Sequence, residues 1–247
     1  EAASLVDAYA DHLCGAFPID LGGRKIALDC ANGAASRGAP EVFRRLGAEV
    51  VALNAEPTGV NINANCGSTH PEALQAAVVE LGAWAGLAFD GDADRVIAVD
   101  ERGEVVSGDH VLAILGLDML RRDRLPKRSL AATVYSNLGL KVALERAGGA
   151  VVETPAGDRY VLEAMLEHGL ALGGEQSGHV ILLEHTTTGD GLLTSLALLE
   201  TAVRLGEGLY DLKQVLKPLP QVLVNVRVAD KAGLGQNVAI EEAVRLG

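Results

Sequence analysis

At 247 residues the chain is long enough to bury a sizeable core and to hold two domains. A formal charge of −12 without a balancing basic patch argues against nucleic acid and anionic membrane as partners, and no apolar run is long and charge-free enough to span a bilayer. Apolar residues make up 49% and aromatics only 3%, so Ala, Val and Leu must fill the interior, which favours helices packed closely on sheets.

The first residues carry a helical pattern (Leu5, Val6, Tyr9, Leu13) without an initiating Met. Residues 1–20 therefore read as a helix in whose pattern the chain starts. Short β runs then alternate with helical patterns, the signature of α/β layers with mixed, mainly parallel sheets. Strands are expected at Lys25–Asp29 and Glu49–Leu53, with a helix over Pro40–Leu46 between them. A polar loop spans Asn54–Thr69, and a helix spans His70–Leu81, with Ser68 or Thr69 available as its N-cap. Strands Ala85–Phe89 and Val96–Val99 flank an acidic loop, a hairpin crosses Glu101–Glu104, and a helix runs from Asp109 to Arg122.

The pattern then restarts: strand Leu130–Tyr135, helix Leu138–Ala147, strand Val151–Glu153, helix Asp158–Glu167, strand Leu170–Leu172. A Gly-rich loop over Gly173–His179, strand Val180–Leu183 and a helix from Asp190 to Leu205 follow. The halves look like copies, since Gly108-Asp109 and Gly189-Asp190, a little over 80 residues apart, each precede a helix. Duplicated modules place equivalent loops at a shared cleft. The expected division is a module over 21–122, a second over 123–219 with its boundary near Arg121–Arg128, and the start of a further α+β domain over 220–247. That last part opens on an alternating strand, Val222–Val228, and ends inside a helical pattern, Val238–Leu246. Both ends read as cut from a longer protein.

The richest chemistry lies in Asp90-Gly91-Asp92-Ala93-Asp94-Arg95. Alternation puts three carboxylates on one side of an extended segment, where a cation must neutralise them, and the apolar runs on either side place the acids in a tight loop between two buried strands. Oxygen ligands suit Mg²⁺ or Ca²⁺ rather than zinc. A calcium-binding EF-hand loop is a rival, because Asp90, Asp92, Asp94 and Glu101 fall at its positions 1, 3, 5 and 12. Arg95, however, occupies the sixth position where that loop needs Gly, and no helix flanks the segment. Arg95 points away from its neighbour along a strand, free for a phosphate oxygen.

Glu175, Ser177 and His179 also alternate, in a loop whose glycines allow close approach of a ligand. Together they suit recognition of sugar hydroxyls, with His179 a candidate proton carrier; a satisfied polar His at a strand entry is the plainer alternative. Gly157–Tyr160 reads as a cap and an exposed first turn, and Thr186–Gly191 as turn and cap chemistry. Cys14, Cys30 and Cys66, odd in number and without CxxC spacing, fit a reducing cytoplasm.

With both loops in view, the chain resembles the α-D-phosphohexomutases along essentially its whole length. The segments that carry the likeness are Asp29–Ser36, Gly59–Asn63, Cys66-Gly67, Asp90–Val96, Gly157–Val161, Gly174–His179 and Thr186–Gly191. Gln176 is the form of the family's aminosugar branch. The resemblance implies four domains around a cleft and interconversion of the 6- and 1-phosphates of glucosamine through a phosphoserine and a bisphosphate.

By position it implies Mg²⁺ on Asp90, Asp92 and Asp94, phosphate on Arg95, sugar hydroxyls on Glu175 and Ser177, and His179 beside the reacting centre. The phosphoserine loop and the last domain's phosphate loop are absent from this chain, so residues 1–20 would be a helix from a missing N-terminal domain, and the piece is expected to be inactive alone and to need its missing N- and C-terminal domains. Ala93 stands where the family usually has Gly, and Pro155-Ala156 where many relatives have Lys. Mannose or glucose phosphate mutase, a non-catalytic phosphosugar-binding module and a Mg²⁺-dependent phosphatase are the alternatives. Oligomeric state, a homodimer included, is left open.

Overall fold

The computed structural model describes residues 2–222, 224, 227 and 237–246. Helix α1 (Ala2–Ala16) leads into β1 (Lys25–Asp29), α2 (Ala35–Arg45), β2 (Glu49–Leu53), α3 (Glu72–Leu81), β3 (Ala85–Phe89), β4 (Val96–Val99), β5 (Val105–Val106) and α4 (Gly108–Arg121). The second round is β6 (Ser129–Thr133), α5 (Leu138–Arg146), β7 (Ala150–Thr154), α6 (Asp158–His168), β8 (Leu172–Gly174), β9 (Val180–Leu182), α7 (Gly191–Leu205) and α8 (Leu209–Lys213). Helix α9 (Val238–Leu246) follows; the expected strand Val222–Val228 falls largely outside the described residues.

Two sheets form, in the orders β2-β1-β3-β4-β5 and β7-β6-β8-β9. In each, the first strand of the round (β1, β6) is parallel to both neighbours, and a later strand (β4, β9) returns antiparallel as a hairpin. The duplication read from the sequence is thus a repeated topology. Alternation divides the burial: Ile26 and Leu28 face the main core while Ala27 faces Leu74 and Val78 of α3. In the second sheet Leu130 and Ala132 face the main core and Ala131 faces Val161 and Met165 of α6.

Helices α4 and α7 are buried almost all round, as befits central helices between layers. Both bridge the two sheets: α4 packs on α5, β5 and β8, and α7 packs on β4 and β9. A Cβ at Gly116 of α4 would come within 2.8 Å of Leu130 Cδ2 in β6. The expected break at Arg121–Arg128 follows α4, a helix that packs on strands of both sheets. Helix α1 is likewise part of the first module's packing, with Ala10 and Leu13 buried in the main core, and does not stand apart.

Three element starts differ from the sequence reading. Helix α2 begins five residues before Pro40, which sits inside it, because Ala35, Gly38, Ala39, Pro40, Val42 and Phe43 all bury against the core. Helix α3 is entered from a 3-10 turn, Gly67–Thr69, with Pro71 at its N-cap position and no side-chain cap, so neither Ser68 nor Thr69 caps it. Strand β8 is shifted to include Gly173 and Gly174; a Cβ at Gly173 would meet Met165 Sδ at 2.6 Å.

The β4–β5 turn is latched onto α8. Asp100, fully buried, accepts from the N–H groups of Arg102 (2.9 Å) and Glu104 (3.0 Å) through Oδ1. Its Oδ2 lies 2.5 Å from Lys213 Nζ, which also reaches Glu104 Oε2 at 2.6 Å. Tyr210 N–H donates to Glu101 Oε2 at 3.1 Å, and the Arg102 guanidinium lies 3.4 Å from the Tyr210 ring centroid.

Beside the latch, His110 Nδ1 meets Ser107 Oγ at 2.9 Å in a capping box, and burial, then Lys213, push its pKa below the ordinary 6.5. A depressed imidazole stays neutral in the fold while the unfolded chain takes up a proton near 6.5, so stability falls as pH drops through that range. One such group contributes at most ~1.4 kcal/mol per pH unit. Urea midpoints measured from pH 7.5 to 5 are expected to fall, and to fall less in His110→Gln; an unchanged slope would contradict this assignment.

Candidate active site

Asp90–Arg95 connects β3 to β4, and it is a turn, not an extended segment. Ala93 N–H donates to Asp90 O at 3.1 Å, and Ala93 has φ 63°, the left-handed region that a side chain disfavours by ~1–2 kcal/mol. The turn gathers the acids. One carboxylate oxygen from each of Asp90, Asp92 and Asp94 lies within 4.8 Å of the others. Asp90 is buried, Asp94 half-buried and Asp92 exposed. Burial, then the neighbouring Asp94, raises the Asp90 pKa above its ordinary range.

Arg95 does not point away from these acids as strand alternation predicts. Its Nε lies 2.7 Å from Asp90 Oδ2 and 3.3 Å from Asp94 Oδ1, and its N–H donates to Asp90 Oδ1 at 3.1 Å. The left-handed residue two positions earlier breaks the alternation, and the guanidinium folds back to the nearest uncompensated charge.

The donor set fits a hard divalent cation. Asp90 Oδ2 is sealed from solvent and, although paired with Arg95, has no aligned hydrogen bond. Oxygens around a Mg²⁺ ion stand up to ~4.2 Å apart, twice its ~2.1 Å bond length, close to the spacing of these three carboxylates.

The second loop crosses the first. Val96 N–H donates to Gly178 O at 3.1 Å, Arg95 and His179 form an isolated antiparallel bridge, and Gly191 N–H at the start of α7 donates to Ala93 O at 2.9 Å. Reciprocally, Gly108 N–H at the start of α4 donates to Gln176 O at 3.1 Å. Each of these helix starts supports one of the two loops. The approach leaves no room for side chains: a Cβ on Gly178, whose φ is 93°, would collide with Val96 O, and one on Gly108 with Glu175 O.

Glu175 and Ser177 stand together, half-buried, with Ser177 Oγ donating to Glu175 Oε2 at 3.3 Å. Glu175 Oε1 accepts from Gly157 N–H at 3.0 Å, so the start of α6 belongs to this site, which sequence spacing did not reveal. The rest of that segment is the exposed first turn expected, with Arg159 paired to Glu163 at 2.7 Å.

His179 is buried, and both ring nitrogens are engaged: Nδ1 with Asp94 Oδ2 at 3.0 Å and Nε2 with Gly189 N–H at 3.0 Å. For the proton-carrier role expected of it, one of these two contacts would have to open when substrate binds. Asp29 is another residue the sequence reading passed over. Fully buried at the end of β1, it accepts from Ala31 N–H (3.0 Å) and Gly67 N–H (2.9 Å) and ties the Asn54–Thr69 loop to the sheet.

A cleft of about 380 Å³ opens beside the acid loop, lined by Asp92, Ala93 and Asp94 with Tyr9, Thr188 and Asp190. The larger groove, about 530 Å³ between α4, α5 and residues 214–219, contains none of these loops and is mostly apolar.

Comparison with known proteins gives a consistent picture. The family profile described as phosphoglucomutase/phosphomannomutase, alpha/beta/alpha domain II matches residues 7–103, and domain III of the same family matches 107–219. A phosphoglucosamine mutase of Geotalea daltonii is 58% identical over 87% of this chain and 48% of its own length. One from Streptomyces coelicolor is 55% identical over 97% of this chain and 53% of its own. The chain thus spans about half the length of the curated relatives it matches. Among solved structures, a phosphoglucomutase/phosphomannomutase family protein from Burkholderia thailandensis superposes with a TM-score of 0.77 at 29% identity, over 86% of this chain and 47% of that one. The Aspergillus fumigatus N-acetylphosphoglucosamine mutase in complex with GlcNAc-6P and magnesium shares the fold, with a TM-score of 0.74 at 18% identity over 91% and 56%.

Proposed function

This chain belongs to the phosphoglucomutase/phosphomannomutase family, and from that premise we propose that it carries the metal-loop and sugar-loop domains of a phosphoglucosamine mutase. The intact enzyme interconverts glucosamine 6-phosphate and glucosamine 1-phosphate through a phosphoserine and a bisphosphate. The aminosugar name borne by relatives more than half identical to it supports the substrate.

The observation that carries the reading is the crossing of the two loops, which sets a charge-neutralising centre against a hydroxyl-binding one through Val96–Gly178 and Gly191–Ala93. Phosphoryl transfer asks for positioning and charge compensation more than covalent help. Asp90, Asp92 and Asp94 would hold Mg²⁺, whose bound charge supplies that compensation. Arg95, in the same turn, offers planar donors to phosphate oxygens. Glu175 and Ser177 accept and donate to sugar hydroxyls, and the two buried helix starts fix both loops so that little reorganisation is needed. The three cysteines are free, which supports a reducing cytoplasm, and no helix among the described residues is long and apolar enough to cross a membrane.

The test is a substrate panel on the intact protein with its flanking regions. Glucosamine 6-phosphate is expected to be preferred over glucose and mannose 6-phosphates by at least ~10-fold in kcat/KM, and residues 1–247 alone are expected to give no turnover. Preference for either neutral sugar, or turnover by residues 1–247, would overturn the reading.

A further inference from the structure

The turn Thr186–Gly191 has so far only capped a helix: Asp190 Oδ1 accepts from Leu193 N–H at 3.0 Å, while its Oδ2 accepts from the Tyr9 hydroxyl at 2.6 Å. Two further groups of this turn reach the two loops, one each. Gly191 N–H holds Ala93 O, and Gly189 N–H donates to His179 Nε2 at 3.0 Å.

A backbone N–H can only donate. His179 Nε2 must therefore be the unprotonated nitrogen, and the ring's proton is placed on Nδ1, 3.0 Å from Asp94 Oδ2. The ring cannot easily slip from this position, since its side chain is only 5% exposed. Nor can the turn carry a side chain at Gly189, where a Cβ would come within 2.5 Å of His179 Cε1.

We propose that His179, oriented by Gly189, is a positioning residue for the metal ligand Asp94, and that this brace couples the metal loop to the sugar loop. The proposal rests on the metal reading given above. Asp94 is the half-buried acid of the three and shares one oxygen with Arg95. The Nδ1–H bond to its other oxygen fixes the carboxylate plane, as partners of metal ligands commonly do. His179 also lies on the loop that carries Glu175 and Ser177. A shift of Asp94 on metal binding is thereby transmitted to the sugar-binding groups, and by linkage sugar binding acts back on metal affinity.

Residues 1–247 labelled with ¹⁵N test this by titration with MgCl₂. Before any metal is added, His179 should show the Nδ1-protonated tautomer. On titration the amides of Gly189 and of 175–179 should move with those of 90–95. His179→Ala and Gly189→Ala should weaken Mg²⁺ binding by ~10–100-fold. His179→Asn, which keeps a donor at the Nδ1 position, should recover most of the loss; a merely space-filling role would not give that rescue.

Wild-type affinity in the Ala variants, equal loss in His179→Asn, or a ring protonated at Nε2 would overturn the brace. Should the wild-type chain take up no Mg²⁺ at all, the metal reading fails, and the tautomer still decides whether Gly189 orients the ring.

Discussion

In the intact protein, Asp92→Asn is expected to lower kcat by about three orders of magnitude while leaving the denaturation midpoint unchanged. Asp92 is the exposed acid of the three and accepts no hydrogen bond from another described residue, so an isosteric amide removes a charge and a ligand oxygen without disturbing the turn. A bound cation contributes several kcal/mol of transition-state charge stabilisation, and losing ~4 kcal/mol corresponds to roughly 10³-fold in rate. Steady-state kinetics with a matching urea curve checks both halves. Activity within threefold of wild type would show that this carboxylate holds nothing needed for catalysis.

The second large effect is on stability. Lys213→Met is expected to cost about 3–5 kcal/mol, because it leaves the buried Asp100 Oδ2 without its counter-charge. Glu104, 60% exposed, simply returns to water and contributes little. The Asp100 backbone bonds from Arg102 and Glu104 survive the substitution but serve the other oxygen. The double variant Asp100→Asn with Lys213→Met should recover much of the loss.

The pH dependence follows from the same pair. Burial works against the Lys213 charge, but the Asp100 and Glu104 carboxylates outweigh it, and the pKa ends above the ordinary 10.5. A raised base contributes fully below its unfolded value, and the contribution is lost as pH rises through the folded value. The latch should therefore hold across neutral pH and weaken only above about pH 10.5. A loss under ~1 kcal/mol for Lys213→Met at pH 7, measured by urea denaturation, would mean that the ion pair is not what joins the β4–β5 turn to α8.

The layered fold was legible because buried strands of this chain are short apolar runs bounded by turns, as at Ala85–Phe89 and Val96–Val99, whose residues are all buried. The duplication was legible for the same reason: Gly108-Asp109 and Gly189-Asp190 mark equivalent helix starts. What could not be read is that each of those helices packs on strands of both sheets. That placement is a tertiary choice, and local periodicity says only that both helices are apolar all round.

Glycine misled in one direction and alanine in another. Gly173-Gly174 looks like loop but forms β8, because α6 and the His179 backbone approach too closely for side chains. Ala93 looks ordinary yet holds the left-handed position that turns Arg95 back onto the acids. The clustering of Asp90, Asp92 and Asp94 in a tight loop between two strands was anticipated; what was not is the left-handed Ala93, which gathers the charges by a turn in place of strand alternation. Contacts between distant segments, such as Gly157 with Glu175 and Gly189 with His179, leave no spacing signal at all.

Isothermal titration of residues 1–247 with MgCl₂, run beside the Asp92→Asn variant, bears most directly on whether the Asp90–Arg95 turn is a cation site. Saturable uptake of one ion by the native sequence, abolished or severely weakened in the variant, is the predicted result. No uptake, or the same binding curve for both proteins, would contradict it.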